Sequence, residues 1–495
     1  MQAKVYHSRE VQAWAQRWIA QNNSALGLIQ QFAWQSYLYL LDYFSKQPQP
    51  VTRIAVWCGC GNNAADGYFV AAYLAQHGYW VDVYATTRGN SVELQQAFDY
   101  AQDKITHLYT HFNVTEQYDV HIDALFGVGL NRELNQTWQL VIQQFNQAHG
   151  LKISVDIPSG LDANTGQALP CAIQADLTLT ALAYKMGLFT GQAKQFSGQV
   201  QCIALIPPDA QLKSLAQLSP NHIELPTWQA FEHKGHHGHV LVVGGHADMG
   251  GAVMMAAEAA FAVGAGKVTV VCHPNHHTAI LARAPNVMLR NIEYLSTEQV
   301  HAMLANVDAV CFGVGLGREH WSQQIFDRWM PALLQQTHLE VVLDADALWF
   351  LAERSMQLSS TTYLTPHSGE AARLLACKSV DIEQDRIAAI YALANKFSGQ
   401  WVLKGSGCLS LEQQQLWVCT AGNAGMGTAG MGDTLAGMIV GLKAQFHEKI
   451  ALHEIVSLHA QAGDLLAQQG MRGIQAFHMP QAIYQIINAC AASAT

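Results

Sequence analysis

Charge is scarce in this chain. Of its 495 residues, 27 are Lys or Arg and 37 are Asp or Glu, so charged residues make up only 13% of it, about half the usual share. The balance is acidic, a formal net charge of −10 with histidine neutral. A general nucleic-acid binder needs the opposite, a basic face that neutralises phosphates. Long apolar runs are missing too. The most apolar stretch, residues 251–272, carries Glu258 and Lys267 and is broken by Gly264 and Gly266, whereas a membrane-spanning helix needs about 20 largely apolar residues. The opening MQAKVYHSREVQAWAQRW has no signal-peptide apolar core. The ten cysteines are scattered, most of them in apolar strand-like runs, and Cys58 and Cys60 flank one glycine without CxxC spacing. They read as reduced, buried thiols, and the chain reads as soluble and cytoplasmic with no membrane partner.

Two familiar chemical signatures are absent. The histidines at 233, 236, 237 and 239, and at 273, 276 and 277, make no HExxH pattern and read as polar loop residues. No Lys-Ser/Thr pair follows any glycine loop, which excludes a Walker A site.

What is present is apolar material, 50% of the residues, arranged as short β-branched runs alternating with helix-period segments. Strands are predicted at 53–58, 81–84, 119–122, 151–155, 177–180 and 200–205, with a helix at 66–77. Residues 207–227 lose periodicity and carry Pro207, Pro208, Pro220 and Pro226, so they read as a connection. The alternation resumes with strands at 239–243, 267–272, 309–312, 340–343, 361–364 and 401–403. Two mostly parallel sheets in tandem, each covered on both faces, are predicted.

Polar and glycine residues gather after the strands, where parallel sheets bind ligands. GCGNNAADG (residues 59–67), Asp123 with Gly127 and Gly129, and Asp156 with Ser159 do so in the first half. The near match to GxGxxG lacks the acidic residue that would hold a ribose, and Asp66 would repel a pyrophosphate, so an ordinary dinucleotide oxidoreductase is disfavoured. Asn63, Asp123 and Ser159 offer oxygens suited to a hard cation, and Asp156 could serve as a proton acceptor. In the second half, GMGTAGMGD (residues 425–433) opens a helix whose leading N–H groups suit a phosphoryl group. Asp433 directly after them is placed to deprotonate an acceptor hydroxyl.

Taken in order, GNNAADGYFVAA, DALFGVGL, VDIPSGLDANTG and AYKMGL, then FGVGLG, LDADAL, LTPHSGEAARLL, VLKGSG and GNAGMGTAGMGDTLAG resemble the bifunctional NAD(P)H-hydrate repair enzymes over nearly the whole chain. The resemblance implies an α/β protein of two domains. Residues 1–215 would be a Rossmann-like three-layer αβα NAD(P)HX epimerase, and residues 216–495 a ribokinase-like αβα ADP/ATP-dependent NAD(P)HX dehydratase. It also implies site residues. Asn62, Asn63, Ala64, Ala65 and Asp66, the loop Gly127, Val128, Gly129, Leu130, Asn131, Arg132 and Glu133, and Asp156 would contact the hydrated nucleotide. Asn63, Asp123 and Ser159 would hold potassium. Asp156 or Asp66 would carry the proton in epimerisation. In the second domain Ala252, Gly315, His367 and Asp433 would line the NAD(P)HX pocket. Lys404, Gly405, Ser406, Gly407 and Cys408, with Gly430, Met431 and Gly432, would hold ADP or ATP, with Mg²⁺ screening its charge. The partners implied are NADHX, NADPHX and adenine nucleotide, with no nucleic acid, in a homo-oligomer.

The sequence departs from the family's pattern at several points. Alanines stand at 64 and 65 in place of two glycines that permit positive φ or close approach. Gln30–Trp34 replaces a Glu-Asn-Ala-Gly element, Val128 replaces threonine, and Trp349 follows DADAL in place of asparagine. Ser368, Cys408 and Met431 also differ from the usual residues. A different reading, a small-molecule sugar or vitamin kinase with a non-catalytic nucleotide-binding first domain, stands beside the repair enzyme.

Overall fold

In the computed structural model the described residues are 3–86 and 89–492, with no side chain described beyond residue 490. They form two compact units that divide after Gln217.

The first unit holds a seven-stranded parallel sheet. Its spatial order is His107–Tyr109, Trp80–Ala85, Arg53–Cys58, Val120–Ala124, Leu151–Val155, Leu177–Ala181, Gln199–Ile203. The chain leaves Arg53–Cys58 towards one edge and returns on its other side with Val120–Ala124. That reversal opens a crevice above the carboxyl ends of these two central strands. Both are buried on both faces; Arg53–Cys58 accordingly reads as an apolar run, while Val120–Ala124 buries His121 and Asp123 among its apolar residues. Helices Ala25–Ser45 and Asn62–His77 cover one face through Phe32, Leu40, Tyr68 and Leu74. Gln136–Gln147 covers the other with Phe145 against Trp57.

The start of one helix differs from the prediction. The helix predicted from residue 66 begins at Asn62, directly after Gly61. Asn62 and Asn63 suggest a turn when read locally, but Ala64 and Ala65 are wholly buried in the core and draw the chain into the helix four residues early.

The second unit places seven parallel strands in the order Met288–Asn291, Lys267–Cys272, His239–Val243, Ala309–Phe312, Glu340–Leu343, Leu358–Leu364, Ser398–Leu403. An antiparallel hairpin, Cys408–Glu412 and Gln415–Cys419, continues the sheet. The switch point falls between His239–Val243 and Ala309–Phe312. On one face, helix Met431–Phe446 lies against Gly250–Ala262 at backbone contact: a Cβ on Gly437 would sit 2.2 Å from the Ala256 carbonyl oxygen. This contact fixes the start of Met431–Phe446 over the strand ends.

Three further expectations are corrected. Within 207–227, Ala216–Leu218 forms a strand pairing Val5 with Ala216. Cys60 is exposed, unlike buried Cys58, because it stands in the turn before the helix. His239 begins a strand, with ring Nε2 2.8 Å from Thr269 Oγ1, and His277 begins a helix, so neither is a loop residue. Among the described residues no helix is long and apolar enough to cross a membrane.

Candidate active sites

The first unit's crevice is built around two aspartates with opposite surroundings. Asp123, on strand Val120–Ala124, is fully buried and accepts from Ser159 Oγ at 2.5 Å, Ser159 N at 2.8 Å, Ser154 Oγ at 2.8 Å and Leu125 N at 3.1 Å. Burial pushes its carboxyl up to about 6 against these donors. Asn63 is the second residue of its helix; its Nδ2 donates to the Phe126 carbonyl at 3.0 Å, while its Oδ1 is buried and has no partner among the described residues. Ser159 Oγ is also 3.1 Å from that carbonyl. Asp123, Ser159 and Phe126 thus bring their oxygens together, with the Asn63 amide against the same Phe126 carbonyl.

Asp156 follows strand Leu151–Val155 with φ +70, a left-handed conformation costing a non-glycine residue about 1–3 kcal/mol. The strain accompanies a specific contact. Lys185 Nζ donates to Asp156 Oδ1 at 2.7 Å, to Thr180 Oγ1 at 2.9 Å and to the Ala181 carbonyl at 2.5 Å. Val128 N lies 3.4 Å from Asp156 Oδ2, a backbone contact indifferent to the missing threonine hydroxyl. A Cβ on Gly127 would meet Asp156 Oδ2 at 3.2 Å and Asn63 Cγ at 3.3 Å, so glycine lets this loop lie against both. Burial first, then the Asp156 charge, raises the Asp66 carboxyl well above its ordinary value, and Lys185 opposes them. One acid favoured in its neutral form therefore neighbours one paired with an ammonium, the polarity an acid–base pair needs.

Asn62, Gly129, Asn131, Arg132 and Glu133 are exposed, and Val128 and Leu130 are partly so. Ala64 and Ala65 are helical and wholly buried, with no positive φ, so their methyl groups cause no backbone strain.

In the second unit Asp433 is the third residue of Met431–Phe446. The cap, Gly430, is left-handed at φ +92 and supplies no side-chain acceptor, and a Cβ there would strike Met255 Sδ at 2.4 Å. Leading N–H groups without a side-chain cap suit an anion. Lys404, just past strand Ser398–Leu403, donates to Asp344 Oδ1 at 2.9 Å and lies 3.8 Å from Glu370 Oε2. Burial alone would lower the Lys404 ammonium, but the two carboxylates outweigh it and hold it raised. A Cβ on Gly432 would be 3.1 Å from Lys404 Nζ, so this cation stands at the helix start. Burial, then Asp344, pushes Asp433 up to about 7, while Lys404 pulls the other way.

Gly315 (φ +59) packs on Ala252: a Cβ there would be 2.9 Å from the Ala252 Cβ. His367 caps helix Ser368–Leu375, its Nδ1 accepting from Gly369 N at 2.9 Å, which leaves Nε2 to carry the proton of the neutral ring. Gly405 and Gly407 are left-handed, and Arg386 holds the loop from beneath through the Leu403 and Lys404 carbonyls at 3.0 and 3.1 Å. Ser406 is exposed, Cys408 begins the hairpin, and Met431 is buried.

Sequence reasoning missed Lys185, Glu370 and Arg386, and marked Asp344 only as a polar residue at a strand end. Lys185 had one signal, a lysine in an otherwise uncharged AYKMGL in a chain with few cations. Which carboxylates would gather round Lys404 had none, because Asp344, Glu370 and Lys404 follow three different strands.

Known proteins share this geometry's sequence frame. The family model described as YjeF-related protein N-terminus matches residues 23–187, and the model described as NAD(P)H-hydrate dehydratase matches residues 240–485. A bifunctional NAD(P)H-hydrate repair enzyme of Coxiella burnetii is 35% identical, covering 84% of this chain and 86% of that one. One from Vibrio cholerae is 37% identical, covering 86% of each. A solved ribokinase-like superfamily protein from Enterococcus faecalis is 29% identical with a TM-score of 0.50, covering 54% of this chain and 92% of its own.

Proposed function

The chain belongs to the bifunctional NAD(P)H-hydrate repair enzymes, and from that premise we propose how its two units share the repair. The first unit interconverts the R and S hydrates. The second dehydrates the S form with ADP or ATP, ADP being the proposed donor.

The observation that carries the dehydratase reading is Asp433 beside the helix start and the Lys404–Asp344 pair. Hydration leaves a hydroxyl on the carbon next to the ring nitrogen, and hydroxide is a poor leaving group. Asp433 takes the proton of this hydroxyl as the terminal phosphoryl of the nucleotide moves to its oxygen. N–H groups at Gly430–Gly432 and the Lys404 ammonium face the migrating charge. The ring nitrogen lone pair then expels phosphate to leave an iminium, and the departing phosphate takes a proton from the adjacent ring carbon, which restores the double bond; AMP and phosphate remain from ADP. Asp344 and Glu370 are the carboxylates that would meet Mg²⁺ arriving on the nucleotide phosphates, and such an ion supplies charge screening there. Ala252, Gly315 and His367 line the hydrate's side, and the 404–408 loop the nucleotide's.

In the first unit we assign Asp156 as proton acceptor, oriented by Lys185, with Asp66 as its protonated partner. The Asp123, Ser159 and Phe126 oxygens, with Asn63 Oδ1 buried and unpartnered among the described residues, would hold a hard monovalent cation. Potassium there would supply a fixed positive charge that offsets Asp123 and orients substrate oxygens. We read the enzyme as cytoplasmic and homo-oligomeric, the latter checked by light scattering.

The kinase alternative is not favoured, because relatives matching across both units are named repair enzymes. The deciding experiment incubates mixed NADHX epimers with ADP or ATP and follows dihydropyridine absorbance. Full recovery with nucleotide supports the reading; nucleotide consumption with a stable phosphorylated product overturns it.

A further inference from the structure

Trp349 lies between two cations. The guanidinium carbon of Arg373 is 3.3 Å from its ring centroid and that of Arg318 is 4.2 Å away. Two such groups on one face would be closer than van der Waals contact, so they occupy opposite faces. Each is tethered by one carboxylate: Arg318 Nε donates to Asp346 Oδ1 at 2.8 Å, and Arg373 Nη2 to Glu353 Oε1 at 2.7 Å. Arg373 Nε also donates to the Trp349 carbonyl at 3.3 Å. Among the described residues, neither terminal nitrogen of Arg318, nor Nη1 of Arg373, donates a hydrogen bond to protein. Arg318 is 52% exposed.

The two arginines ride on the elements that carry the hydrate pocket. Arg318 ends the glycine loop containing Gly315, and Arg373 belongs to the helix capped by His367. The shared indole stiffens both side chains, so two forks of donors are already ordered before a ligand arrives. Stacking also occupies both faces of Trp349, which removes it as a platform for a base. Guanidinium donors left without a protein acceptor on these elements suit phosphate oxygens.

We propose that Arg318, Trp349 and Arg373 form a clamp for a phosphate ester of the dinucleotide substrate. This deepens the dehydratase reading and rests on it. Two groups share that chemistry: the pyrophosphate, common to both hydrates, and the 2′-phosphate found only in NADPHX.

The test uses Arg373→Gln in the full chain, because an Arg318 variant would leave buried Asp346 unpaired near Asp433. With S-NADHX and S-NADPHX as substrates, KM for the hydrate is expected to rise about tenfold or more, with kcat and nucleotide KM unchanged. A rise with NADPHX alone assigns the 2′-phosphate, and a rise with both assigns the pyrophosphate. Calorimetry with 2′,5′-ADP and with inorganic pyrophosphate gives the same discrimination without turnover. Should Arg373→Gln not fold, Arg373→Lys keeps the charge, loses the fork, and gives a smaller rise of the same kind. Unchanged KM for both hydrates, or a rise confined to the nucleotide, overturns the clamp while wild-type recovery upholds the dehydratase. Failure of the wild type to restore absorbance removes the dehydratase reading itself.

Discussion

Lys185 and Asp156 form an ion pair of 2.7 Å in which the lysine side chain is only 2% exposed. A lysine is rarely so deep without a partner, and here the partner also bears the strained backbone of the site.

Removing one member of that pair strands a buried charge. Lys185→Met is expected to cost about 3–5 kcal/mol locally, seen as faster hydrogen exchange in strand Leu151–Val155, and to abolish enzymatic epimerisation. The double variant Lys185→Met/Asp156→Leu restores protection and not activity. Protection lost equally in both would count against a charge-pair origin.

Asp433 must be ionised to accept a proton, and its carboxyl titrates at about 7. The dehydratase kcat should therefore fall about tenfold per pH unit below that value and level off above it. Asp433→Asn is expected to lower kcat by 10²–10⁴-fold, with absorbance recovery as the measure. The stability effect has the opposite sign. Because the folded pKa is raised from 3.8, the folded state binds more protons between about pH 4 and 7, so Asp433 lowers stability as pH rises through that window. Asp433→Asn should thus melt higher than wild type at pH 8 and show no gain near pH 4.

Potassium offers a separate handle on the first unit. The rate of R-to-S conversion is expected to be faster in potassium than in lithium buffers at equal ionic strength. In Asn63→Ala, which deletes the unpartnered Oδ1, the two rates should converge. A persistent difference in the variant would place the cation elsewhere.

Ala64 and Ala65 are ordinary helix residues in this chain. Replacing either by glycine is expected to cost about 1 kcal/mol, measured in chemical denaturation, without raising the epimerase rate. A faster epimerase in the double glycine variant would show that the methyl groups obstruct the ligand.

Much of the frame was readable in advance. Buried parallel strands appear as unbroken apolar runs, and 53–58, 151–155, 239–243, 267–272, 309–312 and 340–343 coincide with the observed strands. Two edge strands were not readable, because Met288–Asn291 and His107–Tyr109 are short and partly exposed. The hairpin Cys408–Glu412 and Gln415–Cys419 was hidden for another reason: two polar glutamines, Gln413 and Gln414, both at positive φ, form its turn without a glycine signal.

What the residue order determined by itself was the alternation of strands and helices, the placing of Asp123 and Asp156 at strand ends, and that of Asp433 at a helix start after a glycine loop, since periodicity and chain direction settle them. Only the tertiary structure decided which charges meet. Lys185 finds Asp156 29 residues away, and Lys404 finds Asp344 60 residues away. Each encounter depends on strand order and on how far burial weakens the screening of a charge, and neither is written in any local stretch of sequence.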